Sequence, residues 1–476
     1  YVGFGITVYD MLSRLGAYGG AMPRPKTLSA KVVRGIAPGI KDDALVGAVR
    51  FHDAQIDDAR HTVAVARTAA AHGAAIATRT AVVSLIREDG RVVGAVIRDE
   101  LTGREFETRA RVVLGAAGVW TDDLLEMSGS SSQHAVRQSK GIHLVVPREA
   151  FPSTSALIAR TPTSVLFLLP WGRHWLIGTT DTDYTGSRSE PQVDEADVDY
   201  LLAEANKWLA RPLTRDDVVG IYSGLRPLLS AGTGEDGTAT LSREHAVLRP
   251  APGLVLIAGG KYTTYRVMAS DAVDAAVASR AEVTTDNVPG CETDELPLVG
   301  AAGYSAAWAA RERTAREAGL TLAQVEHLLR RHGDRTRTVL DLIAVDPKLA
   351  EPMHPEAPYL LAEAVIAITR EGAVGLDDVL VRRTRLALET RGGGVDVAQS
   401  IAEVLAPYAN WTEADIAAQV AVVAERRDAL QPVPGGQIDQ QEVVAGVTAV
   451  AADSVEEALL QEVEFATGLP GDAPTA

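Results

Sequence analysis

The alternation of apolar and polar positions predicts a mixed α/β body over the first part of the chain. Residues 80–86 and 91–99 are rich in Val and Ile and are joined by Glu88-Asp89-Gly90, which predicts a β-hairpin. A helix is predicted at 59–72, with Asp57 and Asp58 before it as capping residues. Further strands are predicted at 105–114, 141–147, 164–169, 175–178, 218–223, 246–248 and 254–258, and further helices near 198–209 and after Thr264. The glycine- and proline-rich stretch before residue 53 is predicted to be irregular.

The pattern changes after Pro289. Apolar residues recur at i, i+3 and i+4, which predicts successive helices at 306–318, 322–333, 335–345, 359–371, 376–391, 397–405 and 413–429. From residue 432 onward there are acidic residues and no lysine or arginine, which is typical of a mobile tail, here with one short helix near 455–465. We therefore predict a body at 1–288, a linker at 289–305, a helical domain at 306–430 and an acidic tail at 431–476.

Composition and charge exclude several classes of protein. Hydrophobic residues make up 46% and charged residues 23%, as in ordinary globular chains, and no apolar run approaches the roughly 18 residues of a membrane span. The net charge of -17 argues against a nucleic-acid partner, although a local basic pocket could still bind a small anion. The single cysteine, Cys291, excludes an internal disulfide and a cysteine-based metal site. We expect no metal and a reducing, cytoplasmic setting.

Three segments place small, polar or charged residues beside glycines and strand ends. The small residues 115–118 end a predicted strand and let a ligand approach the backbone closely, as would a simple tight turn. His143 lies at a strand entrance, where it can act as a general base or serve a structural role. Arg226, between Leu225 and Pro227, and Arg243 suit bidentate recognition of a carboxylate or phosphate, or pair with acids of the chain itself.

A fourth segment, residues 253–266, is the most specific. A buried strand ends in Gly259-Gly260-Lys261, and hydroxyl side chains follow where a helix begins. The glycines permit close approach to the backbone, and the free N–H groups can bind a phosphate or an electron-rich ring oxygen. The glycine spacing and the order of lysine and hydroxyl residues do not match a P-loop.

This segment, Gly259-Gly260-Lys261-Tyr262-Thr263-Thr264-Tyr265-Arg266, resembles the C-terminal flavin motif of the FAD-dependent (aerobic, respiratory) glycerol-3-phosphate dehydrogenase family. The resemblance also includes Asp57-Asp58-Ala59-Arg60, residues 116–120, the Lys-Gly-x-His sequence at 140–143, and residues 224–228. These motifs occur in the family's order, and the resemblance extends from about residue 1 to 427.

The resemblance implies an α/β (α+β) FAD-dependent oxidoreductase fold with an all-α C-terminal domain. It implies the flavin-dependent oxidation of sn-glycerol 3-phosphate to dihydroxyacetone phosphate. His143, Arg226 and Lys261 would be catalytic, and Arg243, Arg226 and Lys261 would bind substrate, with Arg243 at its phosphate. FAD would contact Val82, Ala116, Ala117, Gly118, Trp120, Gly260, Tyr262, Thr263 and Thr264. The resemblance further implies a quinone as electron acceptor, peripheral contact with the cytoplasmic membrane, and a homodimer.

The sequence departs from the family pattern at two places. Residues 114–118 read Leu-Gly-Ala-Ala-Gly where many members have Asn-Ala-Thr-Gly before the tryptophan. The strand and Gly-x-Gly-x-x-Gly loop with which the family opens are not in this sequence, whose first residue is Tyr1. Gly392-Gly393-Gly394 follows a predicted helix, not a strand, and predicts a helix-stop turn. We therefore expect an N-terminally incomplete FAD-binding body that holds FAD weakly.

Two other functions are compatible with the sequence. A related FAD oxidase of an amine or a 2-hydroxy acid would need one carboxylate-binding arginine and no phosphate pocket. Arg226, Arg243 and Lys261 together argue against it. A non-catalytic chain whose helical domain only binds a partner would account for the missing glycine-rich loop. Flavin absorbance and a panel of substrates distinguish the three functions.

Overall fold

The computed structural model describes residues 2–15, 23–43, 45–130, 135–161, 165–230, 244–280 and 288–430. The predicted tail at 431–476, with its short helix, lies outside the described residues. The helices are α1 (Val2–Leu15), α2 (Ala30–Ile36), α3 (Asp58–Ala71), α4 (Thr121–Met127), α5 (Glu195–Asn206), α6 (Tyr265–Ala278), α7 (Tyr304–Ala309), α8 (Arg311–Ala318), α9 (Leu322–His332), α10 (Thr336–Val345), α11 (Leu361–Arg370), α12 (Leu386–Glu389), α13 (Val395–Ala409) and α14 (Glu413–Leu430).

The strands form several sheets in the described part of the body. They are β1 (Lys26–Ser29), β2 (Gly47–Arg50), β3 (Thr80–Glu88), β4 (Arg91–Asp99), β5 (Glu105–Arg109), β6 (Val113–Gly115), β7 (Ala135–Pro147), β8 (Leu157–Arg160), β9 (Val165–Trp171), β10 (His174–Gly178), β11 (Thr182–Asp183), β12 (Gly220–Ser230), β13 (His245–Ala251) and β14 (Leu254–Gly259). The largest sheet has the order β11-β7-β10-β9-β8, and β12 also pairs with β7. Two smaller sheets have the orders β13-β14-β6 and β3-β4-β5, and β1 pairs with β2.

Two local predictions about the body are confirmed. Asp57 is the N-cap of α3, and its side chain accepts a hydrogen bond from the Arg60 N–H, which satisfies one of the free donors of the first turn. Between β3 and β4, Asp89 and Gly90 both have positive φ angles, +48° and +78°. This is the backbone of a tight type I′ hairpin turn, and it explains why an Asp-Gly pair joins the two strands.

The two largest hydrophobic cores in the described residues lie in the body and in the helical domain. In the body, α2 and α5 cover one face of the large sheet, where Ile142, Leu144 and Trp175 are buried. Lys140 lies on β7, as Ile142 and Leu144 do. Its ammonium pairs with Asp194 and Asp197 at the start of α5, at 2.6 and 2.7 Å. The second core lies wholly within α9–α14 and the turns between them. The predicted mixed α/β body and the helical C-terminal domain are thus confirmed, whereas the exact domain boundaries stay predictions.

Three predictions about secondary structure are wrong. The stretch before residue 53 contains α1, α2 and the β1–β2 pair. The single strand predicted at 105–114 is two strands in different sheets. Its first half, β5, is charged and exposed at the edge beside β4, whereas the apolar β6 pairs in parallel with β14. The helix predicted at 376–391 is interrupted at Thr384, which adopts an extended backbone and hydrogen-bonds Val379 through both its N–H and its hydroxyl.

The helical domain is attached to the body by charged side chains. Arg60 of α3 forms a bidentate pair with Glu371, at 2.5 and 2.7 Å, and Arg385 reaches Asp57 at 2.6 Å. The Glu371 side chain is only 1% exposed. Although burial acts to raise its pKa, the hydrogen bonds and charge of Arg60 hold the pKa of Glu371 below its usual range. The start of α3 is therefore anchored to the helical domain.

Candidate active site

His143 lies on β7, and its position follows from the pairing of three strands. It is paired with Tyr222 of β12 on one side and with Gly178 of β10 on the other. The rings of His143 and Tyr222 are stacked, with centroids 5.0 Å apart and planes 6° from parallel. Since Ile142 and Leu144 face the buried core, the alternation along β7 places His143 on the opposite face of the sheet.

Arg226 lies on β12, opposite Ser139 of β7. Its guanidinium donates hydrogen bonds to the hydroxyl of Thr179 at 3.0 Å, to the carbonyl of Thr180 at 3.2 Å and to the hydroxyl of Ser139 at 3.3 Å. The carboxylate of Asp181 lies 3.8 Å from it. These contacts hold the guanidinium in one orientation, and the strand register places it on the same face as His143.

Glycines allow these two groups to lie directly against the sheet. A Cβ atom on Gly141 would lie 2.5 Å from Nη2 of Arg226, and one on Gly178 would lie 2.4 Å from Cδ2 of His143. At Gly224 an added Cβ would meet no described atom within 4 Å. Gly224 lies between Tyr222 and Arg226 on β12, so the open space above it is on the face that carries both functional groups.

The electrostatic environment leaves His143 neutral. Burial, followed by the positive charge of Arg226, lowers the pKa of His143 to about 4. Its Nδ1 atom is buried and has no hydrogen-bond partner among the described residues. Burial also raises the pKa of Tyr222 to about 12, so the stacked phenol remains protonated. At neutral pH the site therefore contains a neutral imidazole that can accept a proton, beside a fixed cation.

Replacing Arg226 with alanine is expected to raise the pKa of His143, because the positive charge that disfavours the imidazolium is removed. The value should stay below 6.5, since burial remains. Histidine-selective NMR titration measures this pKa, and His143→Gln identifies the signal. Because the folded-state pKa of His143 is lower than the unfolded-state value, the group's contribution to stability is present above pH 6.5 and is lost as the pH falls towards 4.

Arg249→Ala serves as the control for this titration, since Arg249 is an exposed residue on β13. It should leave the pKa of His143 unchanged. A wild-type titration midpoint near 6.5, or an equal shift in both variants, would contradict the electrostatic coupling between Arg226 and His143.

Two backbone turns suit the binding of a flavin nucleotide. The strands β6 and β14 are parallel and adjacent, with Leu256 paired to Gly115, and both turns follow their carboxyl ends. Gly118 in the first turn has φ +56°, and an added Cβ there would meet no described atom within 4 Å. Gly259 and Gly260 in the second have φ +74° and +86°. Nucleotides bind at the carboxyl ends of parallel strands and at helix N-termini, so this exposed backbone fits FAD.

The side chains predicted to contact FAD are distributed around these turns. Trp120 is 42% exposed and Tyr262 is 45% exposed, which leaves apolar surface beside both turns. The Tyr262 hydroxyl lies 2.6 Å from Nδ1 of His61 and donates to the carbonyl of Asp58 at 3.3 Å, so this residue also joins the second turn to α3. Val82 lies on β3, in a separate sheet, and is 43% exposed.

The remaining predicted FAD contacts lie on the turns themselves. Ala116 and Ala117 follow β6, the first exposed and the second half-buried. Thr263 is exposed beyond Gly260. The hydroxyl of Thr264 donates to the carbonyl of Lys261 at 3.0 Å, so it stabilises the start of α6. The FAD-binding role of each of these residues stays a prediction.

Lys261, another predicted substrate ligand, is exposed on the turn after β14, outside the sheet that carries His143. That turn lies beside the end of β12 beyond Arg226, because a Cβ on Gly259 would lie 2.9 Å from Leu229. Arg243 lies outside the described residues, but the carbonyl of Glu244, which follows it, accepts a hydrogen bond from the Gly260 N–H at 3.2 Å.

Sequence reasoning missed the groups that position His143 and Arg226. Tyr222 stacks on the imidazole, and Thr179, Thr180 and Asp181 surround the guanidinium. A polar run directly after the buried strand β10 was the available signal for the last three. For Tyr222 no signal was available, because its place opposite His143 depends on the register of β12. In the described part of the chain, no group of His, Cys, Asp and Glu residues could hold a metal ion.

Comparison with known proteins identifies the family of the chain. The FAD dependent oxidoreductase family matches residues 7–269, and the C-terminal domain of alpha-glycerophosphate oxidase matches residues 291–416. The chain is 46% identical to "Glycerol-3-phosphate dehydrogenase 2" of Mycobacterium tuberculosis over 431 residues, which are 90% of this chain and 72% of the relative. The chain belongs to the FAD-dependent glycerol-3-phosphate dehydrogenase family. FAD is therefore its cofactor.

The chain is also similar to more distant members of the family. The mitochondrial glycerol-3-phosphate dehydrogenase of Homo sapiens is 33% identical over 427 residues, which cover 87% of this chain and 57% of that protein. The structure of the glycerol-3-phosphate dehydrogenase from Bacillus halodurans complexed with FAD superimposes with a TM-score of 0.73 at 27% identity, over 92% of this chain and 87% of that one. The predicted oxidoreductase class, cofactor and fold are thereby confirmed, whereas the individual site residues stay predictions.

Proposed function

We propose that the chain oxidises sn-glycerol 3-phosphate to dihydroxyacetone phosphate. The observation that carries the proposal is a neutral His143 beside a fixed Arg226, on a sheet face that is open above Gly224. A secondary alcohol that enters this space meets a base and a cation. The names of the relatives supply the substrate, since they are glycerol-3-phosphate dehydrogenases.

In this proposal the protein residues handle the proton and the charge. Nε2 of the neutral His143 accepts the proton of the C2 hydroxyl. The guanidinium of Arg226 stabilises the negative charge that develops on the oxygen as this proton leaves. The stacked Tyr222 and the bare backbone at Gly178 keep the imidazole in one orientation. FAD, which the turns at Gly118 and at Gly259 and Gly260 would hold, would supply the acceptor for the C2 hydride as the alcohol becomes a ketone.

The phosphate of the substrate requires a separate group of cations. We assign this role to Arg243, with Lys261 as a second ligand, because the backbone of the neighbouring Glu244 is bonded to the glycine turn that precedes Lys261. A pair of cations at one end of the site accounts for the binding of a dianion by a chain with a net charge of -17.

The proposals for the electron acceptor, the location and the oligomeric state rest on the resemblance alone. We propose that a quinone accepts them, and that the protein is cytoplasmic, contacts the cytoplasmic membrane peripherally and forms a homodimer. No described helix has the length and apolarity required to cross a membrane. Activity measured with soluble electron acceptors and with quinone-containing vesicles would show which acceptor the protein uses.

Replacing Arg243 with alanine is expected to raise KM for sn-glycerol 3-phosphate much more than KM for unphosphorylated glycerol. A hydrogen bond between charged groups contributes about 1.5–3 kcal/mol, so the preference for the phosphorylated substrate should fall on the order of 10- to 100-fold. The measurement is kcat/KM for both substrates in the FAD-loaded protein.

Arg249→Ala is the matched control, since it removes an exposed arginine from the adjoining strand β13. It should leave the ratio of the two kcat/KM values unchanged. If Arg243→Ala also leaves that ratio unchanged, the phosphate assignment is wrong. Faster turnover of an amine or a 2-hydroxy acid than of sn-glycerol 3-phosphate would instead support the related FAD oxidase.

A further inference from the structure

A cavity of about 420 Å³ lies between α3 of the body and the helices α9, α10 and α11 of the C-terminal domain. Its volume is within the range of small-molecule sites. Arg67 and Ala71 of α3 form one wall. The rest is formed by Val299, by Arg335 in the turn before α10, and by residues of the other three helices: His332, Thr338, Val339, Ile366 and Arg370. The cavity is on different elements from His143, Arg226 and the two glycine turns.

The charged groups that line this cavity are all cations. Three guanidinium groups, those of Arg67, Arg335 and Arg370, reach it from three different elements, and no acidic residue is among the described residues of its lining. Burial lowers the pKa of Arg67, and the positive charges of Arg60, Arg335 and Arg370 lower it further. The nearby Glu371 acts to raise this pKa but does not outweigh them. Arg335 and Arg370 are therefore close enough to Arg67 for their positive charges to act on it.

The nearby carboxylates neutralise only part of this charge. Glu371 is 3.6 Å from Arg67, but both of its oxygens are hydrogen-bonded to Arg60. In the described part of the chain, Arg335 forms an ion pair with its neighbour Asp334, at 3.4 Å. Arg370 has no hydrogen-bond or ion-pair partner in the part of the chain that the structure describes. Positive charge is thus left uncompensated at this cavity, in a chain that carries 63 acidic and 46 basic residues.

We propose that the cavity bounded by Arg67, Arg335 and Arg370 is a binding site for a small phosphate-bearing anion, separate from the catalytic site. Guanidinium groups that converge from several sides match the several oxygens of a phosphate better than the two oxygens of one carboxylate. The Thr338 hydroxyl, which lines the same cavity, supplies a further donor. The remaining volume accommodates a phosphorylated metabolite.

Occupation of the cavity would connect the two parts of the molecule. Arg67 belongs to the body, whereas Arg335 and Arg370 belong to the helical domain, so one anion bridges both. The bound anion relieves the repulsion among the arginines and adds to the Arg60–Glu371 pair next to it. Since it binds the folded chain, it should stabilise the protein in proportion to the logarithm of its concentration.

Titration of the FAD-loaded protein with inorganic pyrophosphate and with inorganic phosphate tests this site. Calorimetry and the melting temperature are recorded at constant ionic strength, with sodium chloride as the balancing salt. Pyrophosphate should bind and raise the melting temperature, and Arg335→Ala and Arg370→Ala should each weaken its binding about 10-fold or more, because each removes a charged hydrogen bond. Arg370→Lys should weaken it less than Arg370→Ala.

Arg337→Ala is the matched control, because Arg337 lies on α10 two residues beyond Arg335, is 82% exposed and pairs with Asp341. It should bind pyrophosphate as the wild type does. The proposal is overturned if pyrophosphate stabilises the protein no more than sodium chloride does, or if Arg335→Ala and Arg370→Ala bind it with wild-type affinity. It is also overturned if Arg243→Ala alone abolishes binding, since the anion then occupies the catalytic site.

Discussion

Replacing His143 with alanine is expected to lower kcat for sn-glycerol 3-phosphate by about 10²- to 10⁴-fold, the usual contribution of a general base. The effect on KM should be smaller, because a base acts mainly in the transition state. Burial and the charge of Arg226 lower the pKa of His143 to about 4, so the imidazole is neutral at pH 7. Steady-state kinetics of the FAD-loaded protein measure both constants.

Tyr222→Phe is the control for this experiment. It retains the ring that stacks on His143 and removes only a hydroxyl that stays protonated, so kcat should change little. If His143→Ala raises KM and leaves kcat unchanged, His143 is a binding residue and the base must be another group. Circular dichroism of both variants distinguishes a loss of catalysis from a loss of folding.

Replacing Glu363 with alanine is expected to lower the free energy of unfolding by about 3–5 kcal/mol, the cost of breaking a buried ion pair by removing one partner. Its carboxylate lies 2.9 Å from both Arg331 and His327 and 3.2 Å from His332. It also accepts the N–H of Leu360 at 2.9 Å, at the start of α11. Removal of the Glu363 carboxylate leaves these buried donors without a hydrogen-bond acceptor.

The state of the Glu363 carboxylate agrees with this expectation. Burial acts to raise its pKa, but the surrounding His327, His332 and Arg331 hold it well below the usual range. Urea unfolding followed by circular dichroism measures the loss. Glu317→Gln on α8 is the control, since Glu317 is 71% exposed and its pair with Arg313 spans 3.8 Å, so its effect should be about 0–1 kcal/mol. Equal losses in the two variants would contradict the importance of burial.

The site was only partly predictable from the sequence. His143 and Arg226 could be identified because each lies in a short motif with glycine beside it. That they lie on the same face of one sheet could not be predicted, because it depends on the strand register, which pairs His143 with Tyr222 and Arg226 with Ser139. A shift of one residue would move either side chain to the opposite face. Arg243, which the sequence also indicated, lies outside the described residues.

The charged contacts between the body and the helical domain were beyond sequence analysis for a similar reason. Arg60 and Glu371 are 311 residues apart along the chain, and Asp57 was identified only as a helix cap, although it also pairs with Arg385. Local patterns report on neighbours within a few positions, whereas these pairs form when two folded parts of the chain meet. The helix predicted at 376–391 is interrupted at Thr384, and Arg385, the next residue, pairs with Asp57.

The sequence by itself determined the features that depend on short stretches of chain. These are the hairpin at Asp89-Gly90, the cap at Asp57, the helical periodicity after Pro289 and the motifs that indicated an FAD-dependent oxidoreductase. The tertiary structure alone decided which groups meet: the open face above Gly224, the neutral state of His143, and the three arginines around one cavity. Turns, caps and periodicity depend on neighbouring residues, whereas burial and charge balance depend on segments that packing brings together.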